Sequence, residues 1–214
     1  MGVAVTAGPA GKQMEASRLL NEIIHADAVA VPARIALSRL MSSMGSTGAA
    51  VDAAESALKL GKDRELVLEE LAALYSDEGD VRRLESVVEQ LKELRPFSAK
   101  THYYAASAMF LRGEFAQAIV EATKSAATDE TDADALNLKG AALASLGQRE
   151  EARAVFEAAL QRAPEDASIY ANLGLLALDG GDARRSQKLF GGALSLDPSS
   201  EVALQGLQRA MQQQ

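Results

Sequence analysis

From Lys12 to Ala26 the apolar residues Met14, Ala16, Leu19, Leu20, Ile23 and Ile24 recur three and four positions apart among polar ones, which predicts a single amphipathic helix. The same spacing continues through the chain, interrupted at short intervals by turn signals. Between Ala133 and Ser200 the interruptions themselves repeat. Leu136 returns as Tyr170, Gly140 as Gly174, Gly147 as Gly181, Phe156 as Phe190, Ala159 as Ala193, Leu160 as Leu194 and Pro164 as Pro198, each 34 positions on. Extended along the chain, that spacing links Gly11, Gly45, Gly79, Gly113, Gly147 and Gly181 into one comb. A period of this length marks stacked supersecondary units, each burying its apolar face on the next.

The frame divides the chain. Residues 1–10 are small and nonperiodic and are expected to be a disordered lead-in or an expression remnant, and 11–30 forms half a repeat, its second helix. Five units follow at 31–64, 65–98, 99–132, 133–166 and 167–200, each expected to be helix, glycine turn, helix, and 201–214 is a capping helix with a tail. The comb glycines sit where a left-handed C-cap would end a first helix. Ala16, Ala50, Ala118, Ala152 and Ser186, five positions further on, are small where helices approach closely, and Leu84 breaks that column. Pro96, Pro164 and Pro198 stop the second helices. Leu68, Leu136, Tyr170 and Leu204, with Leu20, Val88, Phe156 and Phe190, are expected to form the core columns. Gly191 and Gly192 fall inside a second helix and mark either a soft end or a close contact.

Composition narrows the class. Hydrophobic residues make up 48% of the 214 and aromatics only 4%, which suits helices packed through small side chains and predicts an all-α chain. A net charge of −8 argues against nucleic acid, whose binding draws on Lys and Arg. It favours a basic segment as partner. There is no cysteine, so thiolate metal sites and cysteine nucleophiles are excluded. No apolar run approaches the ~18 residues of a membrane span, so membrane insertion is not expected. Met1 to Ala10 lacks a secretory signal pattern; the reading favours the cytoplasm, or the periplasm if a leader was removed.

Leu136, Gly140, Ala152, Phe156, Ala159 and Pro164, with their counterparts one unit later, resemble the tetratricopeptide repeat (TPR). The resemblance is specific over 133–200, good over 65–98 through Leu71, Ala72, Tyr75, Gly79 and Pro96, and weaker elsewhere. Arg34 and His102 stand in the first core column, and Lys62 and Glu130 where proline is usual. The resemblance implies a right-handed superhelical solenoid of helix-turn-helix TPR units whose first helices line a concave groove. Helical spacing then selects groove residues: Arg39 and Glu69 in the early units; Tyr103, Ser107 and Phe110; Asn137, Ala141 and Ala144; and Leu175 and Leu178; Asn172 joins them as the one residue that fits the pattern of repeats clamping a peptide carboxylate. The implied partner is a protein or peptide, such as an amphipathic helix, held against small and apolar groove residues. Repeats that clamp a chaperone's C-terminal tail use lysine and asparagine in successive units. Here the lysine places hold Ile35, Glu69, Tyr103, Asn137 and Ala171, which argues against that ligand.

Candidate chemistry is sparse. His25 and His102 lie in different units, and His102 is expected to cap or fill the core. Asp129, Glu130, Asp132 and Asp134 lack the glycine and closing glutamate of a calcium loop and are expected to form an interhelix loop, with Asp132 or Asp134 as N-cap. Gly8, Gly11 and Lys12 are wrongly spaced for a phosphate loop. Glu69, Glu70, Asp77, Glu78 and Asp80 form an acidic patch that could dock a basic partner. No cofactor and no enzymatic activity are expected. The sequence thus points to a protein-interaction scaffold; the alternatives are a substrate-recruiting or regulatory arm of an enzyme such as a glycosyltransferase, or a structural part of a bacterial envelope or pilus assembly.

Overall fold

The computed structural model describes residues 9–213, so the expectation for 1–8 lies outside the described residues. They form helices only. The chain falls into two compact units, one up to Pro96 and one from Phe97 on. The first holds α1 (Pro9–Ala26), α2 (Val31–Ser43), α3 (Thr47–Leu58), α4 (Arg64–Glu78) and α5 (Val81–Leu94). The second holds α6 (Ala99–Leu111), α7 (Phe115–Thr128), α8 (Asp134–Ser145), α9 (Arg149–Arg162), α10 (Ala167–Asp179), α11 (Ala183–Leu196) and α12 (Glu201–Gln212). α1 starts at Pro9 instead of Lys12, since a proline suits the first turn, where no N–H partner is needed.

Short turns make successive helices antiparallel neighbours. In the first unit α2 packs on α3 and α4 on α5, while α2 and α4 also touch. In the second, α6, α8, α10 and α12 contact one another in turn, each first helix meeting the next, with α7, α9 and α11 packed behind them. The turns share one geometry. Gly45, Gly79, Gly113, Gly147 and Gly181 all have φ between 69° and 81°, and the residue after each donates its N–H to the carbonyl five back, as Asp80 to Tyr75 and Gln148 to Leu143. This is a Schellman closure, which needs the left-handed conformation at the glycine. Gly11 shares the comb but not the role, because it lies inside α1. Second helices are capped in turn: Asp80 and Asp182 accept from the N–H groups of Arg83 and Arg185, both at 3.0 Å.

The core is centred on two rings. Phe156 and Phe190 are fully buried, and each lies against a glycine on the first helix of its own unit. A Cβ at Gly140 would come within 2.6 Å of the Phe156 ring, and one at Gly174 within 2.7 Å of Phe190. Phe190 also meets Gly206 on α12, where a Cβ would overlap Cζ of the ring. Ala152 and Ser186 are fully buried beside these rings, and Ser186 Oγ donates to the Gly174 carbonyl at 3.0 Å. Gly192 is the close contact, its Cβ position 3.3 Å from Tyr170, whereas Gly191 faces open space; α11 runs through both.

One expected core column is displaced by a residue in the second unit. Leu68 is completely buried as expected, but Leu136 and Tyr170 are half-buried and Leu204 is 49% exposed, while their predecessors Ala135, Ile169 and Ala203 are completely buried. The buried column runs Ala33, Val67, Thr101, Ala135, Ile169, Ala203. Alanine and threonine carry little hydrophobic signal, so the larger residues one place on drew the column to themselves. The shift also removes two anomalies, since Arg34 and His102 are not core positions. α12 is corrected as well: its buried face is Ala203, Gly206 and Ala210, and Leu204 and Met211 face outward.

In the first unit Tyr75 is buried at 4% exposure and donates to Glu55 Oε1 at 3.0 Å, with the Arg83 guanidinium carbon 4.5 Å from its ring centroid. Burial, reinforced by the bond to Glu55, pushes its phenol up to about 12.

Two measurements follow from this packing. Gly206→Ala should cost about 1–3 kcal/mol by forcing the Phe190 ring aside, whereas Gly191→Ala, mid-helix and unobstructed, should gain about 0.5–1 kcal/mol; denaturant midpoints of the two variants should move in opposite directions. For Tyr75, a raised native pKa contributes stability that is complete below the ordinary value of 10.0 and is lost as pH rises toward about 12. The stability difference between the chain and its Tyr75→Phe variant should therefore narrow between those pH values in urea titrations.

Candidate interaction site

The first helices of the second unit, α6, α8, α10 and α12, stand side by side, and a row of polar side chains joins α8 to α10. Asn172 Nδ2 on α10 donates to Asn137 Oδ1 on α8 at 2.9 Å, Asn137 Nδ2 donates to Ser168 Oγ at 2.9 Å, and Ser168 Oγ donates to Asp166 at 2.7 Å. The 34-residue frame produces this row, because it sets Asn137 and Asn172 on neighbouring helices almost one period apart. Ala141, Ala144 and Leu175 flank it, half-buried and packed in part on the core clusters beneath.

The other predicted groove residues are placed differently. Ser107 and Leu178 are buried, Leu178 in the cluster of Phe190, Ala193 and Ala203, so they hold the wall together and present no surface. Spacing alone could not separate the outward stripe from the stripe facing the neighbouring first helix. Tyr103 packs edge-on to Tyr104 with centroids 5.2 Å apart, and Phe110 packs edge-on to Phe115 of α7 at 5.3 Å. Both rings are half-buried and spent largely on packing within their own repeat.

In the first unit Arg39 Nε meets Glu70 Oε2 at 2.9 Å, and Ser38 Oγ donates to Glu70 Oε1 at 2.9 Å. Glu70 is buried by this, and Glu69 is half-buried beside it. The acidic patch is accordingly less charged than its acids alone imply: Arg39 offsets Glu70, and Arg83 is shared between Glu78 and Asp80 at 2.9 and 2.7 Å. The charged residues that tie the patch up lie on other helices or a few residues away, so a count of acids missed them.

His102 neither caps nor fills the core. Its Nδ1 lies 2.7 Å from Glu121 Oε2, and Lys124 donates to Glu121 Oε1 at 2.7 Å. Burial opposes the Glu121 charge, but the bonds from Lys124 and His102 outweigh it and hold the carboxyl below the usual range. Asp129 accepts from the Thr131 N–H and Asp132 from the Asp134 N–H in the expected loop, but the N-cap of α8 is Ala133 and neither aspartate. Asp134 is pushed up by burial and by the charges of Asp132 and Asp166. Among the described residues no group of three His, Asp or Glu side chains is placed to hold a metal, and no helix is long and apolar enough to cross a membrane.

A tetratricopeptide-repeat family model matches residues 133–166. No curated protein matches the chain in sequence. Several solved structures match its fold. A tetratricopeptide-repeat protein from Parabacteroides merdae superposes with a TM-score of 0.83 at 17% identity, over 94% of this chain and 79% of that one. A thermophilic TPR protein from Thermus thermophilus gives 0.77 at 19%, over 85% and 100%. The APC/C hetero-tetramer Cut9–Hcn1 gives 0.76 at 18%, and there the chain spans 94% of itself but only 40% of its counterpart. With its glycine-closed helix pairs and its ring-on-glycine core, the chain has the all-α fold of tetratricopeptide-repeat solenoids built from helix-turn-helix units, and its unit at 133–166 is matched by the family model.

Proposed function

We propose that the chain is a protein-interaction scaffold that takes up a peptide segment along the wall formed by α6, α8, α10 and α12. The observation that carries this reading is the Asn172–Asn137–Ser168 row. An asparagine amide offers two N–H donors and a carbonyl, and each of these asparagines spends one N–H on its neighbour in the row. The second N–H of both, and the carbonyl of Asn172, match the donors and acceptors of an extended peptide backbone. Ala141, Ala144 and Leu175 beside them are small or apolar, and give a hydrophobic side chain somewhere to rest. Support also comes from the fold: Cut9–Hcn1, similar in architecture, is itself a hetero-tetramer of protein chains. A ligand read mainly through its backbone would be recognised with broad sequence tolerance, anchored by one or two apolar side chains.

The test is a selection of displayed random peptides on the whole chain, followed by affinity measurements on an Asn137→Ala, Asn172→Ala double variant. Selected peptides should bind that variant at least tenfold more weakly while its melting temperature stays close to that of the parent. Equal affinity for both proteins would place peptide recognition on another face and overturn the reading.

A further inference from the structure

In the second unit the second helices do not close on one another as the first helices do. α9 and α11 each pack on α10 and, among the described residues, do not touch each other, so a cleft of about 260 Å³ opens between them. α10 forms its floor through Leu173 and Leu176, both buried in the core, and Ala177. Its sides carry guanidinium groups: Arg149 and Arg153 stand one turn apart on α9, and Arg185 reaches it from α11.

The repeat supplies its own control. The three arginine positions hold Phe115, Ile119 and Glu151 one repeat earlier, and Val81, Glu85 and Gln117 two repeats earlier. Phe115 packs edge-on to Phe110, and Ile119 packs against the core cluster of Phe156, so there the same places serve the packing. Only between α9 and α11 does the frame set three arginines around one opening. Like charges one turn apart repel, so Arg149 and Arg153 do nothing for the stability of α9 by standing together.

The protein's own acceptors engage these arginines sparingly. Arg149 donates to the Asp179 carbonyl at 3.1 Å, Arg153 to Glu150 at 3.0 Å and Arg185 to Glu157 at 3.2 Å, each guanidinium thus giving one of its five N–H groups. Glu150 and Glu157 are 79% and 54% exposed, so both ion pairs are weak and an incoming carboxylate can replace them. Against the three arginines the cleft itself sets only Glu150 and Asp182, which leaves it positive on a chain of net charge −8.

We propose that this cleft is a docking site separate from the Asn172–Asn137–Ser168 row, and that its occupant is an acidic segment of a partner protein. A glutamate or aspartate carboxylate of that segment is held by the three guanidiniums, and an apolar side chain beside it rests on Leu173, Leu176 and Ala177. A carboxylate suits the planar fork of a guanidinium, which can bind it through two parallel hydrogen bonds. The apolar floor favours a peptide over a free inorganic anion, which would leave that floor uncovered.

Titration of the whole, isotope-labelled chain with a peptide of alternating glutamate and leucine tests this, read through the Nε–Hε resonances of its arginines. Those of Arg149, Arg153 and Arg185 should shift together and give one affinity. Exchanging the peptide's glutamates for glutamine should weaken binding by about tenfold or more, and so should Arg153→Gln or Arg185→Gln in the protein. Both arginines pair only with exposed acids, so these variants should keep the parent's circular dichroism and Tm. Arg209→Gln removes the same charge from α12, outside the cleft, and should leave the affinity within about twofold. Inorganic phosphate should bind more weakly than the peptide. A peptide that leaves the three resonances unmoved, or that binds Arg153→Gln and Arg185→Gln as tightly as the parent, would overturn the proposal. So would a glutamine peptide of equal affinity, or phosphate that matches the acidic peptide, which is the behaviour of a plain anion site.

Discussion

The approach of a phenylalanine ring to a backbone without a Cβ sets the spacing of the C-terminal repeats. Phe156 and Phe190 are the largest fully buried side chains, and each fills the space between its own helix and a glycine on the helix before it. Any side chain at Gly140, Gly174 or Gly206 would push the pair apart, and the loss would spread because close-packed interiors take up volume changes poorly. Phe190 touches two first helices through Gly174 and Gly206, so one ring fixes both the pairing within its repeat and the seat of α12. The buried alanines along the same helices are small for the same reason: where a ring occupies the gap, its neighbours must leave it room.

Helix ends supply the second constraint. A first helix must stop and reverse within a few residues, and the Schellman closure does this by turning one glycine left-handed and sending the next N–H back five residues. Because the same closure recurs, successive first helices emerge in register, and that register places Asn137 beside Asn172. The amide row is therefore a product of the repeat and of no single local motif. Two carboxylates are tied up by neighbouring side chains, Glu70 by Ser38 and Arg39, and Glu121 by His102 and Lys124.

In the proposed mode of binding the wall is broad in what it accepts: the amide row reads backbone, and the alanines beside it exclude bulk without demanding a particular side chain. Tyr103 packs edge-on to Tyr104, and Phe110 to Phe115.

The period of 34, the helix pairs, the glycine turns and the pairing of Phe156 with Phe190 could all be read from residue order, because each depends on contacts within one repeat that the chain writes several times over. A repeated local interaction leaves a repeated residue. What residue order could not decide was rotation. A helix in this array is enclosed on several sides, and periodicity marks which residues lie in line without saying which line faces the neighbour. Hence Leu204, expected in the core, is half exposed, Ala203 one place earlier is sealed, and Leu178 and Ser107 face inward from the expected groove. The acidic patch, the His102–Glu121 pair and the Asn172–Asn137–Ser168 row depend on side chains that only the packing of separate helices brings within hydrogen-bonding reach. Such pairings involve residues from about 20 to 35 positions apart that occur once, and a contact made once leaves no period to find.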